Sequence, residues 1–296
     1  MKILVTGSNG LLGQKLTALL GGYSRHTLIR TSRAPQEGAP GDWEFMDITD
    51  PASVSEVLLR TVPDVVIHAA AMTMVDDCEL QRDACWQSNV EGTRNVLAAA
   101  SRIGAHVIHV STDFIFDGTH GPLAEDAEPS PVNFYGESKL EAERLVRQYS
   151  GDWAILRTVL VYGITSDKSR SNIALWVKNN LEAGKSIKVV NDQWRTPTLA
   201  EDLAAGCLLA ADHHAVGVYH VSGPEMLTPY DMAVQVADFF GLDAGLITRT
   251  DSTQFTQPAK RPLRTGFIID KARREWGYAP RTFREGLAVM KEQMEQ

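Results

Sequence analysis

Cysteine is scarce in this 296-residue chain: Cys78, Cys85 and Cys207 are all there is, without metal-ligand spacing. So few thiols, in odd number, fit a reducing compartment and small buried hydrophobes better than a disulfide framework. Basic charge is also short, since 29 Lys and Arg against 37 Asp and Glu leave a net charge of −8. That argues against a nucleic-acid polymer as partner, whose binders carry a basic footprint, though a few local cations could still hold one small anionic ligand. No apolar run approaches the ~18 residues needed to cross a bilayer, so no membrane is expected as partner. The opening Met1-Lys2-Ile3-Leu4-Val5-Thr6-Gly7 reads straight into a strand and a glycine turn, so no signal peptide is expected. A cytoplasmic location is therefore expected. Repeats and low-complexity segments are absent, and the scattered acidic residues read as caps and solvated faces, so no metal site is expected.

What is present is ordinary globular composition, 44% hydrophobic and 22% charged. Residues 3–6 read as a short buried strand. They lead into Gly7-Ser8-Asn9-Gly10-Leu11-Leu12-Gly13 and then a helix to about Leu20. Glycines at this spacing permit a tight turn, close approach of backbone to a pyrophosphate, and close helix–strand packing. The helix N-terminus adds N–H groups and a positive dipole end. The second strand, 26–31, ends in Ser32 and Arg33. An NAD-selective site would carry a carboxylate there, whereas a guanidinium suits a 2′-phosphate. The expected cofactor is NADP, with NADPH preferred and NAD still admissible. After a third strand at 43–46, Asp47 is placed to take the adenine amino group and Ile48 to pack on the ring. Asp50-Pro51 reads as a helix cap.

The fourth strand, 64–68, runs into Ala69-Ala70-Ala71, small enough to let a flat cofactor lie on the backbone. A single long helix is expected over 76–101, carrying Asn89. The fifth strand, 105–110, is closed by Ser111-Thr112-Asp113. A loop over 114–134 precedes Tyr135-Gly136-Glu137-Ser138-Lys139, which opens a helix. Tyr135 and Lys139 stand four apart, on one helical face. An ammonium beside a phenol favours the phenolate, which would bring its proton into use near neutral pH. The sixth strand, 153–157, ends at Thr158. Gly7, Arg33, Ala69, Thr112 and Thr158 all fall at strand carboxyl ends, where open α/β sheets bind ligands. Successive strand–helix units predict an α/β fold, a Rossmann-type doubly wound parallel sheet with a smaller C-terminal α/β substrate lobe.

Residues 1–163, plus about 187–220, are assigned to the NADP-binding domain. About 164–186 and 221–296 are assigned to the lobe. In the latter, residues 166–171 read as polar and mobile, and 172–184 as a helix with Trp176 on its apolar face. Residues 254–265 read as irregular. Arg195, Lys260 and Arg261 could meet an anionic substrate.

Taken together, these motifs resemble the extended short-chain dehydrogenase/reductases and, more narrowly, the dTDP-4-dehydrorhamnose reductases. The resemblance rests on Thr6-Gly7-Ser8-Asn9-Gly10-Leu11-Leu12-Gly13, Ala69-Ala70-Ala71-Met72-Thr73, Val75-Asp76 and Ser111-Thr112-Asp113-Phe114-Ile115-Phe116-Asp117-Gly118. It continues through Tyr135-Gly136-Glu137-Ser138-Lys139, Leu156-Arg157-Thr158, Tyr162-Gly163, Asp192-Gln193, Pro197-Thr198 and Glu201-Asp202-Leu203-Ala204. It is loose over the last 90 or so residues. It implies a nucleotide-sugar substrate and hydride transfer from NADPH to the C4 ketone of a 4-keto-6-deoxy sugar. Tyr135 would donate the proton, Thr112 would bond the developing oxyanion, and Lys139 would hold the ribose and tune Tyr135. Asn89 would sit behind Lys139 in a proton path, and a homodimer is implied because such enzymes are often dimers. The expected cofactor contacts are Gly7, Asn9, Gly10, Leu11, Leu12, Gly13, Ser32, Arg33, Asp47, Ile48, Ala69, Ala70, Ala71, Asn89, Tyr135, Lys139 and Thr158. Met72, Thr73, Asp113, Asn172, Trp194 and Arg195 would face the substrate.

Two departures separate the chain from its kin. Phe114 follows Asp113 where related sugar-nucleotide dehydratases place a Glu base, which disfavours dehydration. Arg195 stands where many rhamnose-pathway reductases have Gly. In this the chain is similar to the regulatory subunit of methionine adenosyltransferase, which shares the fold and binds NADP. The alternatives are thus another sugar-nucleotide epimerase or reductase of the superfamily, or a non-catalytic NADP-binding regulatory subunit.

Overall fold

β1 (Lys2–Thr6) lies inside a seven-stranded sheet because its side chains serve two layers at once. Ile3 and Val5 join Leu16 and Leu20 on one face, while Leu4 joins Val54 and Val57 on the other. An apolar run buried on both faces is the signature of a parallel sheet covered by helices. The computed structural model describes residues 1–22, 25–35, 38, 41–166 and 172–295. After β1 come α1 (Leu11–Gly21), β2 (Thr27–Ser32), β3 (Asp42–Phe45), α2 (Pro51–Thr61), β4 (Val65–His68), α3 (Val75–Leu80) and α4 (Arg82–Trp86). Then follow α5 (Gly92–Ile103), β5 (His106–Thr112), α6 (Phe134–Arg147), β6 (Trp153–Thr158), β7 (Val161–Tyr162), α7 (Ile173–Glu182), β8 (Ile187–Val190) and β9 (Thr198–Leu199). The chain closes with α8 (Ala200–Asp212), β10 (Gly217–His220), α9 (Pro229–Phe240), β11 (Ile247–Thr250), α10 (Asp270–Trp276) and α11 (Phe283–Met294).

The sheet order is β10-β6-β5-β4-β1-β2-β3, every pair parallel. Winding therefore reverses between β1 and β4, where such folds open a crevice at the strand ends. Asp50 caps α2 through Ala52 N–H, with Pro51 in the first turn, as expected.

The single helix expected over 76–101 is broken. α3 stops at Gln81 (φ −128°, ψ 57°), α4 restarts, and a π-helical turn over Gln87–Glu91 precedes α5. The side chain of Asn89 inside that turn bonds the backbone at Met72, a tertiary contact that competes with regular winding.

The lobe has its own core: Val177 and Leu181 of α7, Met232 and Val236 of α9, and Leu287 and Met290 of α11. β8 pairs with β11 in a separate two-stranded sheet, so of residues 187–220 only the later part joins the main sheet, through β10. The expected apolar role of Trp176 fails, because Ala174, Val177 and Leu181 form the buried stripe and Trp176 stays 38% exposed. The mobility expected at 166–171 falls, from 167 onward, outside the described residues.

Candidate active site

Gly7 adopts φ +69°, and a Cβ there would lie 2.8 Å from Ala70 Cα. A Cβ on Gly13 would stand 2.2 Å from Gly7 O. Only glycine fits at either place, and the turn is thereby pressed against the end of β4. Gly10 begins α1 with no side-chain cap, so the first-turn N–H groups around Leu11 and Leu12 are open to a ligand. Ser8 Oγ and Asn9 Oδ1 are buried here without a hydrogen-bond partner. The open N–H groups and the Ser8 hydroxyl can donate to a phosphate, and Asn9 Oδ1 can accept from a hydroxyl or amino group, so the glycine cradle suits a phosphate-bearing cofactor.

Around this cradle, Thr6 Oγ1 receives the N–H groups of Ala69 (3.1 Å) and Ala70 (3.0 Å), fixing the small-residue run that continues to Ala71. Arg33 projects exposed from the end of β2. The Ser32 hydroxyl, by contrast, already receives Trp43 Nε1–H and donates to Ala34 O. One oxygen of Asp47 is occupied by the N–H and hydroxyl of Thr49. Ile48 packs against α5 so closely that a Cβ on Gly92 would come within 2.8 Å of it.

Thr112 ends β5, and Tyr135 opens α6 beside it. The Asn133 side chain caps α6 through Gly136 N–H at 2.9 Å, and its amide donates to Lys260 O at 2.7 Å. A Cβ on Gly136 would lie 2.1 Å from Phe114 O, so this glycine alone lets the helix come so near the chain after Thr112. The phenol then lies beside the Thr112 hydroxyl, while its ring packs on Cys78, Cys85 and Phe114. Burial pushes the Tyr135 pKa well up, against the pull of Thr112.

That corrects the expectation of a phenol tuned downward by Lys139. The Lys139 ammonium donates to Val110 O at 2.8 Å and stands 3.2 Å from His109 Nε2, turned to the strand rather than to the phenol. Burial lowers its own pKa to about 8, opposed by the Glu143 carboxylate one turn on.

Asn89, expected at the cofactor, spends its amide inside the protein. Oδ1 receives Met72 N–H at 2.8 Å, and Nδ2 reaches Met72 O and Ser138 Oγ, both at 3.0 Å. It ties the loop after β4 to α6. Met72 is half-buried and Thr73 exposed beside it.

Of the expected substrate-facing residues, Asp113 is 1% exposed and accepts hydrogen bonds from Thr112 and Thr265. Burial raises its pKa, and Arg195 opposes that with Nε at 3.6 Å. Arg195 is itself 4% exposed and donates to the carbonyls of Trp194, Leu263 and Pro262. It therefore staples the 262–265 segment to Asp113, while the half-buried Trp194 lies under the Arg264 guanidinium. Asn172 caps α7 through Leu175 N–H. Thr158 donates to Thr198 at 3.1 Å. Arg261 is paired with Asp76, and Lys260 is exposed. Asn133, Gly136, Ser138 and His109 were not singled out from sequence as site residues. Asn133, three before Gly136, carries a readable cap signal, whereas the roles of His109 and Ser138 depend on partners distant in the chain.

The family model for the RmlD substrate binding domain matches residues 1–296. The probable low-salt glycan biosynthesis reductase Agl14 of Haloferax volcanii is 32% identical over 292 residues, covering 98% of this chain and 97% of that one. Methionine adenosyltransferase 2 subunit beta of Xenopus tropicalis is 34% identical over 247 residues, 81% of this chain and 72% of the relative. Among solved structures, a dTDP-4-dehydrorhamnose reductase from Clostridium acetobutylicum superposes with a TM-score of 0.89 at 31% identity, covering both chains fully. One from Bacillus anthracis, in complex with NADP, gives 0.85 at 26% identity over 99% of each chain.

Proposed function

The chain belongs to the RmlD substrate binding domain family, and on that footing we propose that it is an NADPH-dependent reductase of the C4 ketone of a nucleotide-linked 4-keto-6-deoxy sugar. The observation that carries the proposal is the buried phenol of Tyr135 set beside Thr112 at the carboxyl end of β5. Reduction of a ketone requires a proton donor, and a phenol whose pKa is raised stays protonated throughout the physiological range. Thr112 supplies a hydroxyl beside it for the oxygen on which charge develops. Gly7, Gly10 and Gly13 would hold the pyrophosphate, Arg33 the 2′-phosphate, and Lys139 the nicotinamide ribose. Bound NADPH would supply the hydride. Phe114 follows Asp113 directly, so the position offers no carboxylate base for dehydration. A nucleotide-sugar substrate, cytoplasmic location and a homodimer accompany this reading.

The test is NADPH and NADH oxidation against a panel of nucleotide-linked keto sugars. Turnover with a 4-keto-6-deoxy sugar, faster with NADPH, is expected. Silence across the whole panel would defeat the reading. The second reading, a regulatory NADP-binding subunit, is favoured by the 34% identity to methionine adenosyltransferase 2 subunit beta. It has no use for the Thr112–Tyr135 pair, and it expects a synthetase partner to co-purify.

A further inference from the structure

Two histidines stand side by side under the candidate site, and only one is fully bonded. The rings of His68 and His109 lie 5.4 Å apart, both nearly sealed from solvent. The Thr93 hydroxyl donates to Asn89 O, so its oxygen receives Nε2–H of His68. His68 Nδ1 then accepts from the Thr6 hydroxyl, and both of its nitrogens are used. His109 differs. Its Nδ1 has no partner, and its Nε2 meets the Lys139 ammonium at 3.2 Å. An ammonium has only donors, so the facing nitrogen must offer its lone pair and the proton must sit on Nδ1. A buried unpaired N–H is a standing cost, and an apolar residue would fill the space without it.

We propose that His109 is a positioning residue for Lys139: its Nε2 lone pair, with Val110 O, anchors the ammonium at the end of β5 and keeps it charged. The inference rests on the reductase reading for its kinetic consequence, though not for its structural one. The groups facing Lys139 are Glu143 from its own helix, Cys78 and Cys85 from α3 and α4, and His109 from β5 with His68 of β4 behind it. Burial keeps both histidines neutral, so His109 acts as an acceptor and not as a second cation. Accepting a hydrogen bond from the charged form favours that form. Loss of the acceptor therefore lets Lys139 deprotonate at lower pH.

The experiment compares wild type, His109→Leu and His109→Asn, with ¹³Cε-labelled lysine followed by NMR and the Lys139 signal identified by its loss in Lys139→Met. His109→Leu should lower the Lys139 titration midpoint by about one unit, equal to roughly tenfold in the protonation constant. The alkaline limb of kcat/KM should move with it. His109→Asn, which retains an acceptor, should restore both. An unmoved midpoint in a folded His109→Leu protein, or Asn behaving like Leu, overturns the proposal. Nitrogen-15 spectra of the wild type decide the matter even if the Leu variant does not fold, since a proton on Nε2 instead of Nδ1 refutes the geometry. Failure of the wild type to reduce any ketone would remove the reductase reading while leaving the titration legible.

Discussion

Arg157 closes a two-pronged pair on Glu143, with Nε to Oε1 at 2.9 Å and a terminal nitrogen to Oε2 at 2.8 Å. Both are at most 1% exposed at the side chain, and Ser111 donates to the same carboxylate at 2.6 Å. The pair thus ties β6 and the end of β5 to α6, the three elements that frame Thr112, Tyr135 and Lys139. Replacing Glu143 by Leu strands a buried guanidinium, which costs about 3–5 kcal/mol. Urea unfolding at pH 7 should show a loss of that order. The double variant Glu143→Leu, Arg157→Met should recover much of it, because the pair is dearer to break than to replace. A double variant as unstable as the single would refute the account.

Tyr135→Phe isolates chemistry from packing. The ring sits among Cys78, Cys85 and Phe114, so Phe retains the apolar contacts and loses only the hydroxyl beside Thr112. The proton donor disappears, and kcat should fall about 10²–10⁴-fold. NADPH affinity, measured by fluorescence titration, should stay within a few-fold. Turnover near wild type would show that another group, or water, protonates the product.

How much of this was legible in the chain depends on how local the cause is. The glycine turn could be read because φ +69° at Gly7 and the crowding at Gly13 are satisfied by glycine itself. The sheet could be read because strands such as Val65–His68 are buried on both faces. Tyr135 and Lys139 were placed on one helix by spacing alone, yet spacing says nothing of where a flexible ammonium points. Lys139 chose Val110 O and His109, which arrive from another strand. Arg195 looked like a substrate cation because its acceptors lie about 70 positions on, at Pro262 and Leu263. Asn89 looked like a cofactor residue because the break in its helix is caused by Met72, outside any helical period.

Acid should unfold the protein through its sealed histidines. Burial drives His68 and His220 down to about 3, against an ordinary value of 6.5. The folded state holds these rings neutral, while the unfolded chain binds protons as pH drops below ~6.5. Stability is therefore lost as pH falls from about 6.5 towards about 3. Between pH 6.5 and 5 each ring contributes a loss of about 2 kcal/mol at most. Asp113 and Asp202, raised by burial, oppose this as they take up protons more readily folded than unfolded. Urea midpoints at pH 7 and 5 measure the slope, and His220→Gln should make it shallower. An equal slope in that variant would exclude His220 as a contributor.

Gly136→Ala probes how finely Tyr135 is placed. The added methyl would meet Phe114 O at 2.1 Å and Pro131 Cβ at 2.9 Å. The first obstacle is backbone, which cannot swing aside as a side-chain tip would. The start of α6 must therefore move away from the chain after Thr112, and the phenol with it. Alanine is the better helix former by about 1 kcal/mol, which offsets part of the strain in overall stability. Position is a separate matter, because a displacement of about 1 Å can cost 10²-fold in rate. The variant should therefore remain folded by circular dichroism, bind NADPH nearly as well, and lose roughly two orders of magnitude in kcat. Ser in place of Ala should do the same, since it meets the same carbonyl. Full activity in Gly136→Ala would mean that α6 and the 114–131 segment slide past each other freely, and that the capping bond from Asn133 does not fix the phenol.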